Sequence, residues 1–149
     1  MSRSRRILVI AVAVVAFLLV SAALARVLSA NGAERAAIRD VLEAQASGDA
    51  AALAERIDGC AEDPACRATA ARNAARLRSE GELEVVRLDL STDFSLGGTT
   101  GTARVVWKTP TRLTVVQCAR VRRGGDVIGG LDVRVLALSR PIDRESSCP

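Results

Sequence analysis

Four cysteines, Cys60, Cys66, Cys118 and Cys148, are the residues of this chain whose type and spacing can do chemistry. In an oxidising compartment an even set of thiols couples into disulfides, here two bridges. Four cysteines allow about three connectivities. The preferred one joins Cys60 to Cys66 around Asp63-Pro64, and Cys118 to the tail at Cys148, beyond Ser146-Ser147. Each bridge restricts the unfolded chain and contributes about 2 to 4 kcal/mol. A metal or redox site is the competing chemistry. The chain has no histidine and no Cys-x-x-Cys pair, so neither a metal nor another cofactor is expected. Without histidine there is also no Ser-His-Asp or Cys-His nucleophile system. Tyrosine is absent as well, and the aromatic residues beyond the first 25 positions are Phe94 and Trp107, too few for a sugar-stacking platform.

Disulfides need an address outside the cytosol, and the start of the chain supplies one. Arg3, Arg5 and Arg6 precede an uncharged apolar run from Ile7 to Ala25. At about 1.5 Å per helical residue this run reaches roughly 28 Å, close to the hydrocarbon thickness of a bilayer. Basic flanks stay in the cytoplasm, so the remainder faces outward. Two readings of the leader stand. Ala23-Leu24-Ala25 satisfies the small-x-small preference for signal cleavage, which would release a secreted protein. The length of the run exceeds an ordinary signal core and favours a retained, single-pass anchor. The expected layout is a cytoplasmic N-terminus at 1–6, a membrane span at 7–28, a linker at 29–33, an outer domain at 34–141 and a disulfide-tied tail at 142–149.

The formal net charge of +4 belongs to the leader. Setting aside Arg3, Arg5, Arg6 and Arg26 leaves as many basic side chains as there are carboxylates, and all 17 carboxylates lie at or beyond Glu34. The outer domain lacks the basic excess of a nucleic-acid binder, so no nucleic-acid partner is expected.

The elements that must position these residues follow from periodicity. Asn31 and Glu34 have N-terminal capping spacing, and Ile38, Val41, Leu42 and Gln45 form one helical stripe, predicting a helix from about Glu34 to Ala46. Gly48 closes it, and Asp49 caps a short helix carrying Leu53 and Ile57. Asp63-Pro64 starts a third helical segment to Glu80, with Gly81 as its stop. The period then becomes alternating. Glu82–Leu90, Thr102–Thr109, Thr111–Arg122 and Val127–Leu138 read as strands joined at Gly97-Gly98 and Gly101, Thr109-Pro110, and Arg123 to Asp126. Ala103, Val105 and Trp107 share the core face of the second strand. Leu113, Val115, Ala119 and Val121 do so in the third, and Leu131, Val133, Val135 and Ala137 in the fourth. The fold class is α+β: a transmembrane helix, then two to three helices on one side of a curved four-stranded antiparallel sheet.

The segment Val41-Leu42-Glu43-Ala44-Gln45-Ala46-Ser47-Gly48-Asp49-Ala50-Ala51-Ala52-Leu53 resembles the helix, Gly-Asp turn, helix opening of the nuclear transport factor 2-like superfamily. The resemblance spans roughly Glu34 to Pro141 and implies a cystatin-like cone. The chain is similar to small exported members of high-GC Gram-positive bacteria, which sit behind one membrane segment and often carry paired cysteines. Its single lysine, Lys108, among many arginines fits GC-rich coding.

Enzymes of that superfamily are isomerases and cyclases with a carboxylate base in the cone and Tyr or His helpers, whereas other members have no chemistry. The helpers do not exist here. The resemblance makes Asp89 and Asp93 the nearest candidates for a base, with Asp89 on the strand face of Leu83 and Val85. The alternative is a solvated strand-end aspartate followed by a turn aspartate. A cystatin-like inhibitor would need a Gln-x-Val-x-Gly hairpin, and Thr114-Val115-Val116-Gln117-Cys118 has no glycine in register. The leading expectation is a non-enzymatic, membrane-tethered outer domain that binds a protein partner, a wall component or a small apolar ligand. The cone mouth and the hairpin tip at Arg120, Arg122 and Arg123 are its candidate surfaces. The fold also implies homodimers through the open sheet face, although Arg104, Val106 and Lys108 offer little apolar area there.

Overall fold

The computed structural model describes residues 3–90, 99–125, 132–143 and 148. Three helices, α1 (Arg3–Ser47), α2 (Ala50–Glu55) and α3 (Pro64–Leu77), precede four strands, β1 (Glu84–Asp89), β2 (Thr99–Thr109), β3 (Arg112–Gly124) and β4 (Asp132–Leu138). The strands form one antiparallel sheet in the order β1-β2-β3-β4, the meander expected from the alternating pattern. The chain divides into two compact units, residues 1–32 and 33–149.

Within the first unit, Arg5–Ala25 is a helical stretch of 21 residues, long and apolar enough by composition to cross a membrane. The expected linker at 29–33 is instead helical, and the capping role expected of Asn31 is not used because α1 already runs through it. Nothing in this stretch forces an end: it holds no proline, and a single glycine, Gly32, is tolerated inside a long helix.

In the second unit the local signals hold. Gly48 has a φ of +79°, its N–H donates to the Gln45 carbonyl at 3.1 Å, and the Asp49 N–H donates to the Ala44 carbonyl at 3.3 Å. These two bonds form a Schellman cap that ends α1. The Asp49 carboxylate accepts the Ala52 N–H at 2.9 Å, and that of Asp63 accepts the Ala65 N–H at 2.8 Å ahead of Pro64. A Cβ at position 48 would stand 2.8 Å from Cδ of Arg78 and would hold a left-handed backbone. Gly48→Ala is therefore expected to destabilise the domain by about 1 to 2 kcal/mol, read as a lower urea midpoint.

The third helix stops at Leu77, three residues short of the expected Glu80, because Arg78 is extended and Arg112 donates from Nη2 to the carbonyls of Arg76 and Arg78 at 2.9 and 3.0 Å. Gly81, with φ +90°, serves a turn against the ring of Pro110 rather than the helix end.

The core lies between the helices and one sheet face. Ile38, Val41 and Leu42 of α1, Leu53 of α2, and Ala70, Ala74 and Leu77 of α3 pack with Val105, Trp107, Val115, Ala119, Val121, Val135 and Leu138. Two irregularities in register reset which side chains belong there. In β1, Val85 faces Trp107 and Leu88 faces Val105, with an extra residue between Val85 and Arg87. In β4, Val135 faces Val121 and Leu138 faces Ala119, so Leu138 is buried and Ala137 is exposed, the reverse of strict alternation. Leu113, expected in the core, is 86% exposed where β3 leaves the Pro110 turn. Leu131 lies outside the described residues.

Both expected cysteine pairs are at bonding distance, Cys60 with Cys66 and Cys118 with Cys148. The second joins Cys148 to Cys118 on the sheet face opposite the helices. Ser139 N–H donates to the Cys118 carbonyl at 2.9 Å and Ile142 N–H to the Val116 carbonyl at 2.8 Å. Val116 and Cys118 are buried although they point away from the core.

Candidate functional site

Chemistry in the interior of the domain needs a reactive group there. The stripe of α1 that enters the domain reads Glu34, Ile38, Leu42 and Gln45, all buried. Gln45 meets Gln117 of β3 head to tail: Gln45 Nε2 donates to Gln117 Oε1 at 2.9 Å, and Gln117 Nε2 donates to Gln45 Oε1 at 3.1 Å. Gln117 Oε1 also accepts the Trp107 indole N–H at 2.8 Å, and Gln117 Nε2 also donates to the Ser139 carbonyl at 2.8 Å. Asn73 of α3 donates to the same carbonyl at 3.1 Å. These two amides, the indole N–H and the Ser139 carbonyl thus satisfy one another, as burial requires. A Trp107 ring and an amide pair, neither of them titratable, occupy the space beside α1.

One carboxylate does enter the interior. Glu34 is fully buried, and its Oε2 accepts Nε of Arg123 at 2.5 Å and also pairs with Nη2 of Arg123. Its Oε1 has no hydrogen-bond partner among the described residues. Sequence reasoning assigned Glu34 to a cap and Arg123 to a hairpin tip. Their separation of 89 positions carries no local signal, although a glutamate in line with Ile38, Leu42 and Gln45 is a legible anomaly.

Asp89 is not that carboxylate. The irregularity between Val85 and Arg87 inverts the alternation, so Leu88 turns inward and Asp89 turns to the outer face opposite Arg104. There it accepts Arg87 Nε at 2.8 Å and lies 3.9 Å from Arg104 Nη1. The hydrogen bond, followed by the charge of Asp89, raises the Arg87 pKa above its ordinary value. The expectation that Asp89 shares the face of Leu83 and Val85 is corrected. Asp93 lies outside the described residues, so the structure does not bring the two aspartates together.

Grooves lined by described residues open on the second unit. One, of about 250 Å3, has Val41, Val133 and Val135 at its floor and Asp40, Glu55 and Arg134 at its rim. Asp58 beside it is shared by Arg122 at 2.5 Å and Arg134 at 3.3 Å. Hydrogen bonds to Asp132 and then to Asp58 raise the Arg134 pKa. These partly exposed pairs orient side chains and add little stability. The other groove, of about 340 Å3, runs between α3 and β4 and is mostly apolar. The expected basic tip is accordingly dispersed: Arg122 joins Asp58, Arg123 turns inward to Glu34, and Arg120 is exposed.

Among the described residues no group of three or more His, Cys, Asp or Glu is arranged to hold a metal ion. Comparison with family models, with curated proteins and with solved structures finds no match to this chain.

Proposed function

We propose that this chain is a membrane-tethered binding domain displayed outside the cytoplasm, without catalytic chemistry, on a cone of the nuclear transport factor 2-like kind. The observation that carries the reading is the occupied interior: Trp107, Gln45 and Gln117 fill with mutually satisfied amides the space where an enzyme of that kind would keep a base. The outward position of Asp89 supports it further. Binding then falls to outer surfaces, and the partner is a protein or another envelope component rather than a small apolar molecule held in the cone.

The address rests on three features acting together. An apolar helix of 21 residues follows Arg3, Arg5 and Arg6, and both cysteine pairs lie at bonding distance. Reducing cytosol disfavours such pairs, whereas the outer compartment preserves them. A retained anchor is preferred, and cleavage after Ala25 is the alternative. The test is a C-terminal reporter combined with alkaline extraction of membranes. Phosphatase fused at the C-terminus is expected to be active, and the protein to stay with the membrane until detergent is added. Recovery of a soluble product beginning at Arg26 would replace the anchor by secretion. Activity of a cytosol-only reporter would overturn the whole reading.

A further inference from the structure

We propose that the buried pair of Glu34 and Arg123 is a releasable latch, which decides whether the stretch of α1 from Ala33 to Val41 stays docked on the sheet. A buried ion pair holds firmly when further hydrogen bonds complete the shell of each charge. Here the shell is incomplete. Glu34 is fully buried and gives Oε2 to both Nε and Nη2 of Arg123, at 2.5 Å for Nε, while its Oε1 has no hydrogen-bond partner among the described residues. A carboxylate oxygen out of water and unbonded opposes closure, so the pair holds α1 less firmly than its burial suggests.

The two ends of the docked segment are fastened unequally. At its end α1 is tied by Gln45 with Gln117, by the Ser79 N–H on the Ala46 carbonyl at 2.9 Å and by the Gly48 cap. Toward its start the polar ties among the described residues are Glu34 with Arg123 and the exposed Arg39 with Glu82 at 3.7 Å, which adds little. Gln45 follows Glu34 by about three helical turns, and Gln117 and Arg123 share the odd-numbered face of β3. Release at Arg123 therefore peels α1 from its Glu34 end, with the Gln45–Gln117 pair as the pivot. Ala37, Asp40 and Val41 form the α1 wall of the groove of about 250 Å3 that also holds Val133 and Val135 of β4. That wall belongs to the segment the latch holds, so opening the pair takes the groove apart while the remaining core stays packed. No halfway position is stable, because partial separation leaves both charges without compensation in a low-dielectric interior. The segment is either closed or open.

The inference concerns the second unit alone and does not depend on where the chain resides. Its test is methyl relaxation dispersion on the full-length protein in detergent, with labelled isoleucine δ1 methyls. Ile38 is buried in the segment the latch holds, whereas Ile142 is fixed to β3 by its N–H on the Val116 carbonyl. Ile38 is expected to exchange with an open state populated at about 1% or less, and Ile142 to stay flat. Glu34→Gln, which weakens the pair, is expected to raise the open population about tenfold at Ile38 and not at Ile142. Glu34→Met with Arg123→Met removes both buried charges and is expected to flatten the Ile38 profile, since closing then desolvates no ion. This last result separates a latch from an ordinary stabilising contact, whose loss can only loosen the segment. Should Glu34→Gln lose native Trp107 emission, Arg123→Lys, which keeps the charge but not the forked contact, takes its place. The proposal is overturned by a flat Ile38 profile in both the parent and the weakened variant, by equal exchange at Ile38 and Ile142, by a double replacement that opens the segment further, or by loss of the fold in both single variants.

Discussion

Glu34→Ala is expected to lower the unfolding free energy by about 3 kcal/mol or more, a large share of the roughly 5 to 15 kcal/mol that holds a domain together. Glu34 is fully buried and Arg123 nearly so, their side chains 0% and 11% exposed. Removing the carboxylate takes from the guanidinium, in a low-dielectric setting, the buried opposite charge that helps offset its lost hydration. Glu34→Gln keeps the volume and an acceptor, and should fall between the two. The double replacement Glu34→Met with Arg123→Met removes both charges and should cost less than Glu34→Ala alone, because desolvation is then avoided rather than left uncompensated. Urea unfolding of the full-length protein in detergent, followed by fluorescence, measures all three. The chain has one tryptophan, Trp107, and it is fully buried, so the signal reports this core alone. A Glu34→Ala midpoint within about 0.5 kcal/mol of the parent would show that the pair does not hold α1 to β3.

Gln117→Leu should be comparably damaging for a different reason. It deletes four hydrogen bonds at once, two with Gln45, one with Trp107 and one with Ser139. The Ser139 carbonyl keeps Asn73, but the Trp107 N–H and both polar atoms of the Gln45 amide lose the partners described above. Each stranded buried group costs about 1 to 3 kcal/mol, so a total of about 3 kcal/mol is expected. Adding Gln45→Leu removes the stranded amide and should restore part of the loss, leaving the indole N–H as the residue of the defect. Additive losses in the double mutant, read from the same urea curves, would contradict a coupled pair.

Much of the architecture was legible because its determinants are local. Asp49, Asp63-Pro64 and Gly48 act within a few positions, and the four alternating stretches have turn residues between them. The short Cys60–Cys66 loop and the reach from Cys118 to the tail likewise follow from spacing. What escaped depends on partners far along the chain. A single extra residue near Val86 moves Leu88 inward and Asp89 outward, and no propensity marks it. The same displacement in β4 exchanges Ala137 for Leu138. Gln45 was placed on the core stripe of its helix, yet its partner lies 72 positions away and sits among apolar neighbours in β3. The continuation of α1 through 29–33 escaped because Asn31 and Glu34 imitate a start where none was needed.

The amide-based interior has an environmental consequence. Glutamine, asparagine, serine and tryptophan neither gain nor lose protons near neutrality, and the chain has no histidine. With the described cysteines all bonded, no side chain type present ordinarily changes protonation near neutrality. A domain whose interior amides and indole do not titrate keeps those contacts when its surroundings turn mildly acid or alkaline.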